Sequence, residues 1–228
     1  TIRKTLVVLQ FAAAQILILV TFIMINQISF FKHRPVGYDP TTMLVIPYLY
    51  EDKGNEREAF YNELNNIPGV ANFSFGNAGN DRVDFYILER DKHTAIVTYA
   101  DTSYLSTFNL KLLSGMNINL PTNGSSSGVV VNESLIDKLG LSTPAAAVGT
   151  IFTLGDQEVF IQGVVNNTYT NPMSNTIDPL IIRYDAKQFV AAAIDISLEN
   201  IPRTLAEIER AWQRVYPNYL FRFTFMDD

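Results

Sequence analysis

The sequence predicts an α+β chain in which an N-terminal transmembrane helix leads into a split β-α-β layer carrying an inserted β-rich subdomain. Three observations predict it. No charged residue occurs from Thr5 to Phe31. A strand–helix–strand pattern stands near each end of the remaining chain. Between the two lies a long stretch of short strands and turn signals.

The segment Thr5 to Ile25 reads TLVVLQFAAAQILILVTFIMI. About 20 mostly apolar residues suffice for a helix to cross the hydrocarbon core. A cleaved signal peptide has a shorter apolar core followed by a small-residue cleavage site. Here Ala12, Ala13 and Ala14 sit inside the run, and NQISFFKHR follows it, so the sequence predicts an uncleaved anchor. Arg3 and Lys4 flank its start and Lys32, His33 and Arg34 its end, which leaves the positive-inside rule undecided. Large trailing domains translocate regardless of charge, so residues 32–228 are expected outside the cytoplasm. Gln10 and Gln15 either hydrogen-bond to neighbouring membrane helices or are amides that an apolar span tolerates. The helix is expected to continue through Gln27 and Phe30 and to stop at Pro35 and Gly37.

Tyr38, Asp39 and Pro40 make a turn into a strand, Met43 to Tyr50. A helix follows from about Glu56 to Asn66, with Ala59, Phe60, Leu64 and Ile67 at helical spacing. Pro68 and Gly69 end it, and Val70 to Phe75 is the second strand. The same order recurs at the C-terminus. Ala191 to Leu198 is a strand, and Pro202 opens a helix whose Leu205, Ile208, Ala211, Trp212 and Val215 share one face. Pro217 ends that helix, and Tyr219 to Phe225 alternates as a closing strand. Two such units are what a ferredoxin-like split layer requires.

The middle is expected to hold strands at Asp84–Leu88, Thr94–Tyr99, Gly128–Val131, Ile151–Leu154 and Val159–Val165, with short helices at Thr102–Phe108 and Glu133–Leu139. Asn132 is a suitable cap for the second of these, and Gly140 a suitable terminator. Pro121 to Gly128, PTNGSSSG, reads as a surface loop.

The net charge is -6 and the Lys and Arg residues are scattered, so no basic stripe for nucleic acid exists. The absence of cysteine excludes thiol catalysis, disulfides and Cys-based zinc sites. His33 and His93 stand alone, and no metal-ligand spacing, nucleophile elbow, P-loop or dinucleotide fingerprint is present. Asp81, Asp84 and Glu89 could be paired in space, but nothing in the sequence distinguishes them from solvated surface charge. The sequons at Asn72, Asn123, Asn132 and Asn166 are treated as coincidence. No catalytic residue, cofactor or metal is expected.

The motifs together carry a resemblance. They are RKTLVVLQF (Arg3 to Phe11), NQISFF (Asn26 to Phe31), GYDP (Gly37 to Pro40) and FYNELNNIPGV (Phe60 to Val70). Further on come VVVNES (Val129 to Ser134), KLG (Lys138 to Gly140), VGT (Val148 to Thr150), IQGVVNNTY (Ile161 to Tyr169) and DPLII (Asp178 to Ile182). In order and spacing the chain resembles the periplasmic core domain of MacB/FtsX-type ABC-transporter permeases, in the Bacteroidetes form. The resemblance implies a bacterial inner-membrane permease with residues 32–228 periplasmic. It implies a cytoplasmic ABC ATPase partner reached through further membrane helices, a second permease subunit, and possible contact with a periplasmic adaptor. It also implies a porter-like α/β layer, and outer domains that transmit ATP-driven motion during export or lipoprotein release. On this reading residues 1–33 are the anchor and stalk, 38–80 with 176–228 the porter-like layer, and 81–175 the insertion. The chain ends at Asp228 without a second membrane segment, so it is expected to be one anchor and one outer domain of a longer protein.

Two other functions compete. A membrane-anchored ligand sensor would need a cytoplasmic effector, which the few residues before Thr5 do not supply. An anchored hydrolase lacks any candidate constellation. Gene context separates the three. The candidate partner contacts are Tyr169 and Asn171, in the polar loop NNTYTNPMSN that follows Val165. A loop held between rigid strands often carries binding, although an ordinary surface crossover reads the same way.

Overall fold

The computed structural model describes residues 2–32, 39, 41–47, 55–77, 81–87, 91–120, 128–168 and 176–226, with backbone alone at 28–32, 81–84, 86–87 and 91–92. Expectations that fall on 33–38, 48–54, 88–90, 121–127 and 169–175 lie outside these residues, as do the side chains of Asp81, Asp84 and Glu89. The elements in chain order are α1 (Ile2–Lys32), β1 (Met43–Pro47), α2 (Asn55–Asn65), β2 (Val70–Gly76), β3 (Asp81–Ile87) and β4 (Asp91–Tyr99). Then come α3 (Tyr104–Thr107), β5 (Leu112–Gly115), β6 (Gly128–Asn132), α4 (Glu133–Lys138), α5 (Pro144–Ala147), β7 (Ile151–Leu154) and β8 (Gln157–Val165). Last are β9 (Leu180–Arg183), a single 3-10 turn (Ala186–Gln188), β10 (Ala191–Ile196), α6 (Ile201–Val215) and β11 (Thr224–Phe225).

In α1 the apolar stretch Ile2–Gln27 has a mean hydropathy of 2.5, and none of it is buried against the rest of the chain. At 1.5 Å per residue that stretch is about 39 Å long, more than the roughly 30 Å of the hydrocarbon core. Thr21 donates its hydroxyl to the Leu17 carbonyl (2.8 Å), which satisfies it without water. At the entry to β1, the Asp39 carboxylate accepts from the Thr41 N–H (2.9 Å) and hydroxyl (2.7 Å). Those bonds hold the Asp39 carboxyl below its usual range, the hydroxyl contributing most. The Thr42 hydroxyl then reaches the Asp195 carboxylate on β10 (2.9 Å), fixing the turn to the sheet.

The first sheet has the order β11-β1-β10-β2, with every pairing antiparallel. That order interleaves β1-α2-β2 with β10-α6-β11, as the split layer requires. Leu44, Ile46, Phe73, Phe75, Ala192, Ile194 and Ile196 point to one face, where α2 and α6 cover them with Phe60, Leu64, Ile208, Ala211 and Trp212. The α6 helix begins where Asn200 caps the Arg203 N–H (3.4 Å) with Pro202 in its first turn. Gly69 lets the α2–β2 turn approach α6: a Cβ there would lie 2.1 Å from the Thr204 hydroxyl oxygen.

The closing strand is shorter than the sequence predicts, since Thr224–Phe225 alone pairs with β1. Trp212 explains this. Its indole N–H donates to the Tyr219 carbonyl (3.1 Å) and its ring meets Phe221 at 6.2 Å. The backbone of 219–221 is thereby drawn to α6 instead of to the sheet. Pro47, at the end of β1, brings no N–H with which to extend the ladder.

The second sheet has the order β5-β8-β6-β9-β4-β3-β7, and a further pairing of β7 with β8 closes it into a barrel with β5 attached outside. The pleat sends alternate residues inward. Ala95, Val97, Val129, Val131, Phe152, Leu154, Val159, Ile161 and Ile181 fill the interior with Phe85, and Leu135, Ile136 and Ala147 of α4 and α5 close over them. Their sequence neighbours Ile96, Val130, Leu180 and Ile182 face the other way. They pack with Met43 and Ala193 of the first sheet and with Leu105 and Phe108 near α3. This third cluster is the apolar part of the joint between the sheets.

Leu180–Arg183 falls in the terminal layer on sequence grounds, yet it is a strand of the barrel, parallel to β4 and antiparallel to β6. All four residues are buried, so they show no alternation to read. The α5 turn and β5 were not foreseen either. His93, expected on the surface, is half-buried and stacks on Phe85 with ring centroids 5.3 Å apart.

The polar part of the joint centres on Asp101. Its carboxylate accepts from the Ser74 hydroxyl (2.7 Å), the Phe75 N–H (2.8 Å) and the Ser103 N–H (3.0 Å). Burial raises the Asp101 carboxyl above its ordinary 3.8, against the pull of these donors and of Arg57. A raised folded value means that the native state holds the proton more tightly. The associated stability is therefore fully present below the unfolded value and is lost as pH rises through the folded one. We expect the stability of the protein to fall over that window, and the corresponding fall to be absent in Asp101→Asn. Urea titrations of both proteins at stepped pH measure this, and parallel pH profiles would contradict it.

Candidate functional site

The strands β6 and β8 are parallel neighbours, with Asn132 beside Val165. The strand β9 runs antiparallel to β6 and therefore starts at the same end of the barrel. The segment 166–179 leaves β8 and enters β9 at that end. The first sheet joins the barrel at the opposite end, because parallel β4 and β9 both finish there, at Tyr99 and Arg183.

Asn132, fully buried, organises the free end. Its Oδ1 accepts from the Leu135 N–H (3.1 Å), capping α4, and from the Leu180 N–H (3.0 Å). Its Nδ2 donates to the Asp178 carbonyl (2.9 Å). Ser134 donates its hydroxyl to the Ile177 carbonyl (2.8 Å) and its N–H to Asn167 Oδ1 (2.9 Å). The Asn167 N–H in turn donates to the Glu133 carboxylate (3.0 Å). Asn166 exchanges two bonds with the Lys111 backbone, accepting its N–H at 2.6 Å and donating to its carbonyl at 3.0 Å.

Both ends of the loop are therefore tied to the β6–α4 junction. The segments VVVNES, IQGVVNNTY and DPLII, distant in sequence, meet here. The signal that could have revealed it is the placement of Asn132, Asn166 and Asn167 at the ends of otherwise apolar strands, where a polar side chain must find backbone partners. The candidate contacts Tyr169 and Asn171 lie outside the described residues.

Chemically the arrangement is a scaffold. The amide, hydroxyl and carboxylate groups at the junction are engaged with backbone groups. Among the described residues no cluster of His, Asp or Glu could hold a metal ion.

The sequence profile of the MacB-like periplasmic core domain matches residues 9–211. No curated protein matches. Solved structures with the same fold include the extracellular domain of the noncanonic ABC-type transporter YknZ from Gram-positive bacteria. It is 14% identical with a TM-score of 0.55, over 80% of this chain and 98% of that one. The periplasmic region of MacB from Actinobacillus actinomycetemcomitans is also 14% identical, with a TM-score of 0.56, over 86% of this chain and 94% of that one. The chain belongs to the MacB-like periplasmic core domain family, and its α+β architecture is that of these domains. It is an extracytoplasmic domain of a MacB-like ABC-transporter permease, joined to a helix long and apolar enough to anchor it.

Proposed function

We propose that this domain carries movement driven by a cytoplasmic ATPase outward from the bacterial inner membrane, and delivers it to a partner through the loop at the barrel's free end. The domain performs no bond-making or bond-breaking step. The partners it would serve are the ATPase, reached through the rest of the permease, a second permease subunit, and a periplasmic adaptor. One observation carries the reading: both ends of residues 166–179 are fastened to one buried junction at the end of the barrel farthest from the first sheet. Loops on rigid scaffolds are where binding residues concentrate.

The test is paired. Tyr169→Ala and Asn171→Ala are expected to shift the unfolding free energy of the domain by no more than about 0.5 kcal/mol, the size usual for a substitution outside the core. The same substitutions are expected to impair export by the intact permease. Unchanged export with unchanged stability removes the loop from the mechanism, and a large stability loss makes it structural.

A further inference from the structure

The joint between the sheets is built more like a weld than a hinge. Backbone hydrogen bonds continue across it. The Asn77 N–H donates to the Tyr99 carbonyl (2.9 Å), and the Tyr99 N–H donates back to Asn77 Oδ1 (2.9 Å). The Asp101 N–H donates to the Phe75 carbonyl (3.0 Å), while the Ala100 N–H, on the barrel side of the joint, donates to the Arg183 carbonyl (3.0 Å) and ties the end of β4 to β9. Gly76 bridges to Ala100 across the joint. A Cβ at Gly76 would stand 2.5 Å from the Tyr99 carbonyl oxygen, so the approach is closer than any side chain allows. Asp101 then collects donors from Ser74 and Phe75 on β2 and from Ser103 after β4. Hinges are made of few element-terminal residues that absorb backbone rotation without losing bonds. Rotation here would break the bridge and these hydrogen bonds, strand a half-buried carboxylate, and open the apolar cluster that Met43 shares with Ile96 and Ile182.

We propose that Asp101 and Gly76 lock the split layer and the barrel into one rigid body, so that the free-end loop moves with the first sheet by lever action. The consequence for transport rests on the reading given above, but the rigidity itself does not. Asp101 is a positioning residue in this scheme: it touches no partner, and it sets the angle at which the barrel presents one.

The chain has no cysteine, so labels can be placed at will. Lys138→Cys, on the exposed side of α4, and Gln213→Cys, on the exposed side of α6, accept spin labels in the full chain reconstituted in lipid nanodiscs. Double electron–electron resonance is expected to give a single narrow distance distribution. A broad one in the unsubstituted background overturns the proposal outright. Asp101→Ala and Gly76→Ala are each expected to broaden the distribution while the emission of the single tryptophan, Trp212, stays native and reports an intact first sheet. Asp101→Asn keeps acceptors for Ser74 and Ser103 but turns an amide toward the Phe75 N–H, and gives a smaller broadening if the alanine variant unfolds. A distribution as narrow as the parent's in all folded variants overturns the assignment to these residues. The measurement involves neither ATPase nor cargo. A flexible joint would therefore leave the transmission reading standing, whereas a rigid domain that fails to move with ATP in the intact permease would sink that reading and leave this one.

Discussion

Trp212→Ala is expected to lower the unfolding free energy by about 3–5 kcal/mol, the range for removing a large aromatic from a core. Trp212 is 3% exposed. Its ring stands edge-on to Phe60 at 5.5 Å and lies against Tyr216 at 4.4 Å. Phe60 in turn meets Phe75 at 6.4 Å, so a cavity at Trp212 unsupports a chain of rings that runs from α6 through α2 to β2. The substitution also leaves the Tyr219 carbonyl without its indole donor and frees 219–221 from the helix. Because the variant has no tryptophan, the unfolding curve is followed by circular dichroism. A loss below about 1 kcal/mol would show that this face is not core.

Asn132→Ala is the second large effect. It removes a helix cap, worth about 1 kcal/mol. It also leaves the buried Leu180 N–H without its acceptor, at about 1–3 kcal/mol, and takes the amide donor from the Asp178 carbonyl. The expected sum is about 2–4 kcal/mol on the same scale. Asn132→Asp separates the parts. It still accepts from Leu135 and Leu180 but faces the Asp178 carbonyl with an oxygen, so its loss is expected to differ from that of alanine. Hydrogen exchange at the Leu180 amide should accelerate in the alanine variant beyond the global change. An alanine variant as stable as the parent would mean that the junction does not hold the loop.

The sequence makes the local elements legible where periodicity and caps agree. Asn132 caps α4 and Gly140 follows it at a φ of 69°, as its residue type demands. The buried positions of α6 follow the apolar face read from Ile208, Ala211 and Trp212. The sequence conceals what depends on distant pairing. Nothing local tells that β9 belongs to the barrel, because a four-residue apolar run fits any buried strand. Nothing local tells that Tyr219 is drawn to an indole instead of to β1. The candidate site was half legible. The loop after Val165 could be named, but its anchor could not. Asn132, Ser134, Asn167 and Asp178 come together only once β6, β8 and β9 are neighbours.

The strands through which the chain enters and leaves the barrel region, β2 and β10, are themselves paired, with Gly76 opposite Ala191. Bringing together two points separated by 115 residues (191 − 76) carries a loop-closure entropy of about 4 kcal/mol. A closed barrel between them has already gathered that chain, since Tyr99 and Arg183 end side by side next to Gly76 and Ala100. The entropy of closing the long loop therefore falls on the barrel's own pairings, and the β2–β10 ladder closes only the short connection from Arg183 to Ala191. Pairing of β2 with β10 is thus favoured by closure of the barrel.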